Sequence, residues 1–276
     1  MDAVARSYLF VPGNRPDQFA KAARAGADAV IIDLEDAVPP HEKDPARDAV
    51  AKWLRPEQPV VIRINGAETA WFAQDAAVCR SPGVAAIMLP KTDRVEQVRR
   101  VEITVGRRIP ILPLIETAHG FANALDIARD PSVARLIFGA IDFQMDTGIH
   151  GDGDELLYFR SALVLYSRLA GIEAPVDGIN TEIDDPERLR ADTLRARRLG
   201  FGGKLCIHPK QVPHVNACFL PTAEEIAWAK RVLEAAAASR GAAVASAGEM
   251  IDRPVILRAE RILRESDRHG SQTPPI

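Results

Sequence analysis

The chain has 276 residues, of which 47% are apolar and 26% charged, and its formal net charge at pH 7 is −3. This composition excludes wholesale disorder, and the charge excludes the strongly basic surface that is typical of nucleic-acid binding. The length suits one domain of about 200 to 250 residues with a smaller appendage.

The chain carries three cysteines and no CxxC pair, which favours a reducing compartment over a disulfide framework. No apolar run approaches the roughly 18 residues that a membrane span requires. The first residues, MDAVAR, lack the basic region followed by an apolar one that marks a secretory signal. We therefore expect a cytoplasmic protein without membrane or nucleic-acid partners.

Short apolar runs alternate with stretches rich in Ala, Arg, Glu and Leu, as strands alternate with helices in a parallel sheet. Eight such runs are present, at 8–12, 29–35, 60–65, 86–90, 110–116, 136–142, 174–177 and 204–208. Eight strand–helix units in a chain of this length predict an α/β fold, the closed (β/α)8 TIM barrel. The alternative is an open doubly wound sheet, but the GxGxxG turn of that fold is missing after the first run.

The pattern changes after residue 208. Residues 222–238 are predicted to form a helix, since Thr222 and Glu225 make a capping box at its start. The small and polar stretch 239–248 indicates a flexible connector, and 253–264 a final helix. We predict a catalytic barrel domain over 1–221 and a C-terminal helical extension over 222–276, a candidate lid over its own or a neighbouring active site.

Ionisable and amide side chains concentrate at the ends of the runs, and the active site of a TIM barrel lies at the carboxyl ends of its strands. The residues at these ends are Asp33, Glu35, Asp36, Arg63, Asn65, Lys91, Glu116, Asp142, Asp177 and His208. Their placement predicts that the chemistry of this chain is carried at one rim of the barrel.

Glu116 and Asp142 end the fifth and sixth runs, and strand parity predicts that each shares a face with residues two and four positions earlier. Neighbouring strands lie about 4.8 Å apart, so the two carboxylates would repel unless a cation or proton lay between them. An oxygen-rich set without His or Cys favours Mg²⁺ over Zn²⁺. The alternative is a pair of ordinary rim charges balanced by Arg or Lys.

Arg63 is the single charged residue of an otherwise apolar run, and its guanidinium can hold a carboxylate through two parallel hydrogen bonds. The alternative is a structural ion pair with Glu35 or Asp33. Arg63 can make such an ion pair and also bind a substrate carboxylate. Lys91 is either a site residue or a solvated loop lysine. His208 is either a ligand or a histidine whose hydrogen bonds are satisfied within the protein.

Several motifs together resemble the citrate lyase beta-chain-like family, the CoA-ester lyase branch of the HpcH/HpaI aldolase superfamily, along nearly the whole chain. They are YLFVPGNRP at 8–16, IDLEDAV at 32–38, IRING at 62–66, LPK at 89–91, LIET at 114–117, GAID at 139–142, IHPKQ at 207–211 and MIDRP at 250–254. The resemblance implies a TIM barrel that assembles as a homotrimer or a larger homo-oligomer such as a hexamer.

The resemblance also implies roles for single residues. Glu116 and Asp142 would hold Mg²⁺, with Mn²⁺ as an alternative ion, and Arg63 would bind the carboxylate of a 2-oxo acid. The further residues implied are Arg15 and Lys21 near the CoA phosphates, Asn65 and His208 with the substrate, Glu35 in catalysis, and Asp33 and Asp36 around the metal site. Asp252 would approach an active site and is the candidate catalytic base.

The implied activity is a Mg²⁺-dependent carbon–carbon lyase that cleaves or forms a 3-hydroxyacyl-CoA thioester of the citryl, malyl or citramalyl type. Its partners would be a 2-oxo acid and acetyl- or acyl-CoA. One alternative is a metal-dependent aldolase that acts on free 2-oxo acids without CoA. Another is a binding subunit of a citrate lyase-type complex that works only with acyl-carrier partners.

Overall fold

A computed structural model describes residues 5–238, 244–246 and 249–270. Its central element is a closed barrel of eight parallel strands, in which each strand pairs with the next in the chain and β8 pairs with β1. The strands are β1 (Ser7–Pro12), β2 (Ala29–Asp33), β3 (Val60–Arg63), β4 (Val84–Leu89), β5 (Ile111–Ile115), β6 (Arg135–Phe138), β7 (Glu173–Asp177) and β8 (Gly203–Cys206). The predicted TIM barrel is thereby confirmed.

Helices follow the strands along the barrel. They are α1 (Pro16–Ala23), α2 (Lys43–Trp53), α3 (Phe72–Val78), α4 (Val95–Val105), α5 (Ala118–Ala122), α6 (Ala124–Ala128), α7 (Ala140–Thr147), α8 (Leu157–Ala170), α9 (Pro186–Leu199) and α10 (Gln211–Cys218). Short 3₁₀ turns at Pro40–Glu42 and Asp154–Leu156 precede α2 and α8. Each strand is buried on both faces, because helices cover its outer face and its inner side chains fill the barrel. This explains why the strands are almost unbroken apolar runs.

The interior of the barrel is filled by aliphatic side chains and Tyr8, contributed by all eight strands at alternating positions. These residues are Tyr8, Ile31, Val61, Ala86, Met88, Leu112, Leu114, Ile137, Val176 and Leu205. Burial of each large aliphatic side chain stabilises the fold by about 1.5–3 kcal/mol. Because side chains alternate along a strand, the same inward face continues to Asp33, Arg63 and Glu116 at the carboxyl rim.

The sixth strand is shorter than the sequence predicts. The run 136–142 was expected to be one strand, but β6 ends at Phe138, Gly139 is the N-cap residue, and α7 begins at Ala140. Asp142 therefore lies in the first turn of a helix. The strand-parity prediction for Asp142 was wrong, since Ile137 is the β6 residue that fills the barrel interior.

The described residues from Ala217 onward form a second compact unit, separate from the unit that ends at Asn216. It contains α11 (Ala223–Ala238), the antiparallel strands β9 (Val244–Ser246) and β10 (Glu249–Ile251), and α12 (Arg253–Gly270). Its apolar core joins the two helices and β10 through Ala229, Val232, Ala236, Ile251, Ala259 and Ile262. The lid role of this extension stays a prediction.

The capping box, the connector and the final helix of this unit can be compared with the sequence predictions. The capping box is present, because Thr222 N–H donates to Glu225 Oε2 at 2.8 Å and Glu225 N–H donates to Thr222 Oγ1 at 3.1 Å. The predicted connector 239–248 contains strand β9, and its residues 239–243 and 247–248 lie outside the described part of the chain. The final helix continues to Gly270, beyond the predicted end at Arg264.

The three cysteines, Cys79, Cys206 and Cys218, are buried. Burial raises the pKa of Cys206 to about 12, so its thiol stays protonated at neutral pH. No helix in the described ranges is both long enough and apolar enough to cross a bilayer.

Candidate active site

Glu116 follows β5 directly and is buried at the carboxyl rim of the barrel. Its Oε1 accepts a hydrogen bond from the backbone N–H of Lys91 at 2.7 Å. Its Oε2 lies against Gly139, where an added Cβ would come within 2.6 Å of that oxygen. A residue without a side chain at position 139 is therefore required for the Glu116 carboxylate to occupy this position.

Burial, and then the negative charge of Asp142, raise the pKa of Glu116 to about 8. Asp142 is half-buried in the first turn of α7, where an acidic side chain interacts favourably with the helix dipole. The charge of Asp142 thus acts on Glu116, although a helix and not a strand carries Asp142, and the binding of one metal ion by both acids stays a prediction.

The chemistry of this pair suits Mg²⁺. No group of three or more His, Cys, Asp or Glu side chains within the described residues could hold a metal ion on its own. Mg²⁺ usually keeps several waters and is bound by one or two carboxylates together with substrate oxygens. A buried carboxylate destabilised by a second carboxylate fits that pattern, whereas Zn²⁺ would require His or Cys ligands.

Arg63 ends β3 and pairs with Asp33 at the end of the neighbouring strand β2. Its Nε donates to Asp33 Oδ1 at 2.7 Å and its Nη2 donates to Asp33 Oδ2 at 2.6 Å. Its Nη1 lies 3.0 Å from Glu35 Oε2. Burial lowers the pKa of Arg63, but Asp33 and Glu35 outweigh this effect and raise it. The structural ion pair considered from the sequence is therefore present, and it uses the planar fork of the guanidinium.

Asp33 and Glu35 also shape the turn after β2. Asp33 Oδ1 accepts from the Glu35 N–H at 2.8 Å, and Asp33 Oδ2 accepts from the Ala37 N–H at 3.1 Å. Burial is the largest effect on Glu35 and raises the pKa of its carboxyl, and the nearby charge of the exposed Asp36 acts in the same direction. Glu35 thus lies among the charges of the rim, while Asp36 faces solvent.

Lys91 belongs to this cluster, although the sequence left it open as a solvated loop lysine. Its Nζ donates to Glu35 Oε1 at 3.0 Å, while its backbone N–H holds Glu116. Among the described residues it is the one non-glycine with a positive φ, at 48°. Its position directly after the fourth apolar run was the available sequence signal for a rim residue.

Asn65 belongs to a buried hydrogen-bond network. It is buried, its Oδ1 accepts from Lys43 Nζ at 2.7 Å, and its Nδ2 donates to Leu34 O at 2.8 Å and to Asp75 Oδ2 at 2.6 Å. Both amide hydrogens are therefore committed to protein acceptors, and Asn65 supports the turn after β2; its role in substrate binding stays a prediction. The sequence missed the partners Lys43 and Asp75.

Lys43 shares this buried network. Its Nζ also donates to Leu34 O at 2.7 Å and to Glu35 O at 2.8 Å, so all three ammonium hydrogens have acceptors. Burial lowers the pKa of Lys43. The ammonium fixes the backbone on which Glu35 stands, and it does so from the first residue of α2.

The remaining predicted residues lie apart from this network. Arg15 is exposed and pairs with Asp17 at 2.9 Å, Lys21 is exposed on α1, and His208 Nδ1 accepts from the Lys210 N–H at 3.2 Å. No hydrogen bond or ion pair within the described part of the chain joins these three to the acidic rim. Their roles in substrate binding stay predictions.

Asp252 lies in the C-terminal unit, just before α12. Its Oδ1 accepts from the Val255 N–H at 3.2 Å, which is the hydrogen bond of an N-cap residue. The side chain is half-buried. Asp252 therefore has a structural function at the start of α12, and its role as a base stays a prediction.

The closed barrel, with the buried Glu116, the half-buried Asp142 and two cations at the carboxyl rim, defines a TIM-barrel protein with a candidate metal-dependent active site. The chain belongs to the HpcH/HpaI aldolase/citrate lyase family, whose model matches residues 6–209. The resemblance inferred from the motifs is thereby confirmed, and the match places the chain in a lyase family.

Named relatives agree with this assignment. The citrate lyase subunit beta-like protein of Deinococcus radiodurans is 40% identical over 95% of this chain and 97% of its own length. The (3S)-malyl-CoA thioesterase of Cereibacter sphaeroides is 32% identical over 95% and 94%. The crystal structure of the protein CitE from Mycobacterium tuberculosis, in complex with magnesium, acetoacetate and coenzyme A, superposes with a TM-score of 0.87. It is 35% identical and the match covers 97% of this chain and 100% of that one.

Proposed function

We propose that this protein is a Mg²⁺-dependent carbon–carbon lyase that cleaves, or in reverse forms, a 3-hydroxyacyl-CoA thioester. The products of cleavage are acetyl- or acyl-CoA and a 2-oxo acid, and the substrates proposed are the citryl, malyl and citramalyl esters. The observation that carries the proposal is the buried Glu116, whose pKa is raised to about 8 by burial and by the charge of Asp142. Such a pair is stabilised when a divalent cation binds between the carboxylates.

Glu116 and Asp142 are the residues that would hold the ion. When bound, Mg²⁺ would act as a Lewis acid that stabilises negative charge on the oxygens of the 2-oxo acid fragment. The backbone N–H of Lys91 fixes Oε1 of Glu116, and Gly139 leaves room for Oε2. The CitE structure that contains magnesium, acetoacetate and coenzyme A supports this assignment by family membership.

The cations of the rim orient the substrate. Arg63 is fixed by Asp33 and Glu35, and each of its two Nη nitrogens carries a second N–H that can bind a carboxylate. Holding the carboxylate fixes the direction of the bond that breaks, which lowers the entropic part of the barrier. Glu35, between Arg63 and Lys91, keeps both cations in place.

The proton balance needs one base. In cleavage, Asp252 would take the proton of the C3 hydroxyl, the electron pair of that O–H bond forms the carbonyl at C3, and the C2–C3 bond breaks with its electron pair moving to C2. The resulting thioester enolate then takes a proton at C2, which gives the acyl-CoA product. Asp252 can return the same proton, so the step consumes and releases no net acid.

The test is a product assay with the full-length protein. Citryl-, malyl- and citramalyl-CoA are each incubated with Mg²⁺, and the products are identified by mass spectrometry. We expect acetyl-CoA together with oxaloacetate, glyoxylate or pyruvate from at least one ester, with loss of turnover in EDTA and in Glu116→Gln. Consumption of free 2-oxo acids alone would indicate an aldolase, and binding without turnover would indicate a subunit of a larger lyase; either result contradicts the proposal.

A second candidate activity is hydrolysis of the thioester, because one relative is a (3S)-malyl-CoA thioesterase at 32% identity. The same assay separates the two reactions. A lyase releases acetyl-CoA from malyl-CoA, whereas a thioesterase releases free CoA and malate.

A further inference from the structure

Arg63, which is predicted to bind the carboxylate of the substrate, is only partly available for that contact. Two of its five N–H groups donate to Asp33, and its Nη1 pairs with Glu35 at 3.0 Å. Its side chain is 14% exposed. A substrate carboxylate that binds at this rim therefore meets a guanidinium whose charge is already balanced by two carboxylates.

Lys91 is more accessible. Its side chain is 50% exposed, and one of its three ammonium hydrogens donates to Glu35 Oε1. No other acceptor for this ammonium exists among the residues that the structure describes, so two hydrogens face no protein partner. Burial lowers the pKa of Lys91, but Glu35 outweighs this effect and raises it, which keeps the ammonium charged.

The backbone around Lys91 is fixed in an unusual conformation. Its φ of 48° lies in the left-handed region, which residues other than glycine rarely adopt. The conformation is held on both sides, because Lys91 N–H donates to Glu116 Oε1 and the buried Gln97 donates through Nε2 to Lys91 O at 3.4 Å. Backbone strain of this kind persists where surrounding contacts enforce it, and it is concentrated at functional sites.

We propose that Lys91 is a substrate-binding residue whose ammonium binds the carboxylate of the 2-oxo acid, together with the remaining N–H groups of Arg63. This inference rests on the proposed function, since it assumes an anionic 2-oxo acid at the rim. Lys91 then has two tasks: its backbone positions the candidate metal ligand Glu116, and its side chain binds the substrate. The two tasks can be separated, because a substitution at position 91 removes the ammonium and keeps the backbone N–H.

The test measures two affinities of the full-length protein by isothermal titration calorimetry: Mg²⁺ alone, and pyruvate at saturating Mg²⁺. In Lys91→Met we expect pyruvate to bind about 10- to 100-fold more weakly, as for the loss of a hydrogen bond to a charged group. We expect Mg²⁺ to bind at least as tightly as in the wild type, because a positive charge near Glu35 and Glu116 is removed. A purely structural role of Lys91 would weaken both affinities together.

Two further variants make the result specific. Lys91→Gly keeps the N–H and accommodates the left-handed φ, so it should lose pyruvate binding to the same extent as Lys91→Met. Lys52→Met removes an exposed lysine of α2 and should leave both affinities unchanged.

The outcomes distinguish this inference from the proposed function. Wild-type binding of Mg²⁺ and pyruvate, with unchanged pyruvate affinity in both Lys91 variants, would overturn the inference and leave the lyase proposal intact. Equal losses of Mg²⁺ and pyruvate affinity would also overturn it, in favour of a structural role. A wild-type protein that binds neither probe would overturn both.

Discussion

Arg63 and Asp33 lie directly opposite each other at the carboxyl ends of β3 and β2, joined by hydrogen bonds of 2.7 and 2.6 Å. Removing two charges from water is costly, and this bidentate geometry compensates the cost better than a single contact would. The pair therefore orients the guanidinium before any substrate arrives.

Replacing Arg63 by lysine keeps the charge and removes the planar fork. We expect Arg63→Lys to lower kcat/KM for the CoA ester at least 10-fold, because an ammonium cannot donate two parallel hydrogen bonds to Asp33 and still bind substrate. Steady-state kinetics of the cleavage reaction measures this. Wild-type kinetics would contradict a role of Arg63 in substrate binding, and a thermal melt shows whether the fold is retained.

Gly139 provides a test of the position of Glu116. An alanine Cβ would lie 2.6 Å from both Cβ and Oε2 of Glu116, so the carboxylate must move in Gly139→Ala. We expect Gly139→Ala to bind Mg²⁺ more weakly than the wild type, as measured by calorimetry. The secondary structure should change less than the Mg²⁺ affinity does. Gly66→Ala is the matched control, since the nearest atom to its Cβ would be Thr69 Cγ2 at 3.9 Å. Equal Mg²⁺ affinity in both variants would argue against Glu116 as a ligand.

Asp252 has a capping function that can be separated from its proposed role as a base. Asparagine is as good an N-cap as aspartate, so Asp252→Asn should keep the hydrogen bond to the Val255 N–H and the wild-type melting temperature. Its kcat should still fall by about 100-fold or more, as for the loss of a general base. Asp252→Ala should lose both activity and about 0.5–2 kcal/mol of stability. Full activity of Asp252→Asn would exclude the proposed proton transfer.

Asp177 at the end of β7 predicts how stability depends on pH. Burial opposes its ionisation, but Lys204 Nζ at 3.1 Å and Arg160 Nε at 3.0 Å outweigh burial and lower its pKa to about 2, from an ordinary value of 3.8. Because the folded pKa is the lower one, the stabilisation is fully present above about pH 4 and is lost as the pH falls toward 2.

Asp177→Asn leaves the buried Lys204 without its counter-ion and removes one of the two carboxylates that pair with the buried Arg160, the other being Asp152. We expect the free energy of unfolding at pH 7 to fall by about 3–5 kcal/mol, measured by urea denaturation. The difference from the wild type should shrink as the pH is lowered below 4, since the wild-type carboxylate is then progressively protonated. A difference that stays constant down to pH 2 would contradict the assignment of charge to this cluster.

The barrel was predictable from the sequence because parallel strands buried on both faces need near-continuous apolar runs. The rim position of Glu116 was predictable from the alternation of side chains along β5. Leu112 and Leu114 face the barrel interior, and Glu116 continues their face. Parity failed at Asp142 because Gly139 ends β6 and a helix of different period begins at Ala140.

Contacts between distant parts of the chain were not predictable in this way. The left-handed backbone of Lys91 depends on Glu116 and Gln97, which hold its N–H and its carbonyl from other segments. The buried amide of Asn65 is engaged by Lys43 and Asp75, and no periodicity of the sequence indicates these partners. Both assignments required the three-dimensional arrangement.

Glu116 and Asp142 are proposed to bind one divalent cation. Anomalous diffraction from crystals soaked in Mn²⁺, the alternative ion for a Mg²⁺ site, tests this proposal most directly. We predict one strong anomalous peak within coordination distance of a carboxylate oxygen of each residue, absent in Glu116→Gln. A peak elsewhere at the rim, or two carboxylates that face apart with no ion between them, would exclude Glu116 and Asp142 as joint ligands.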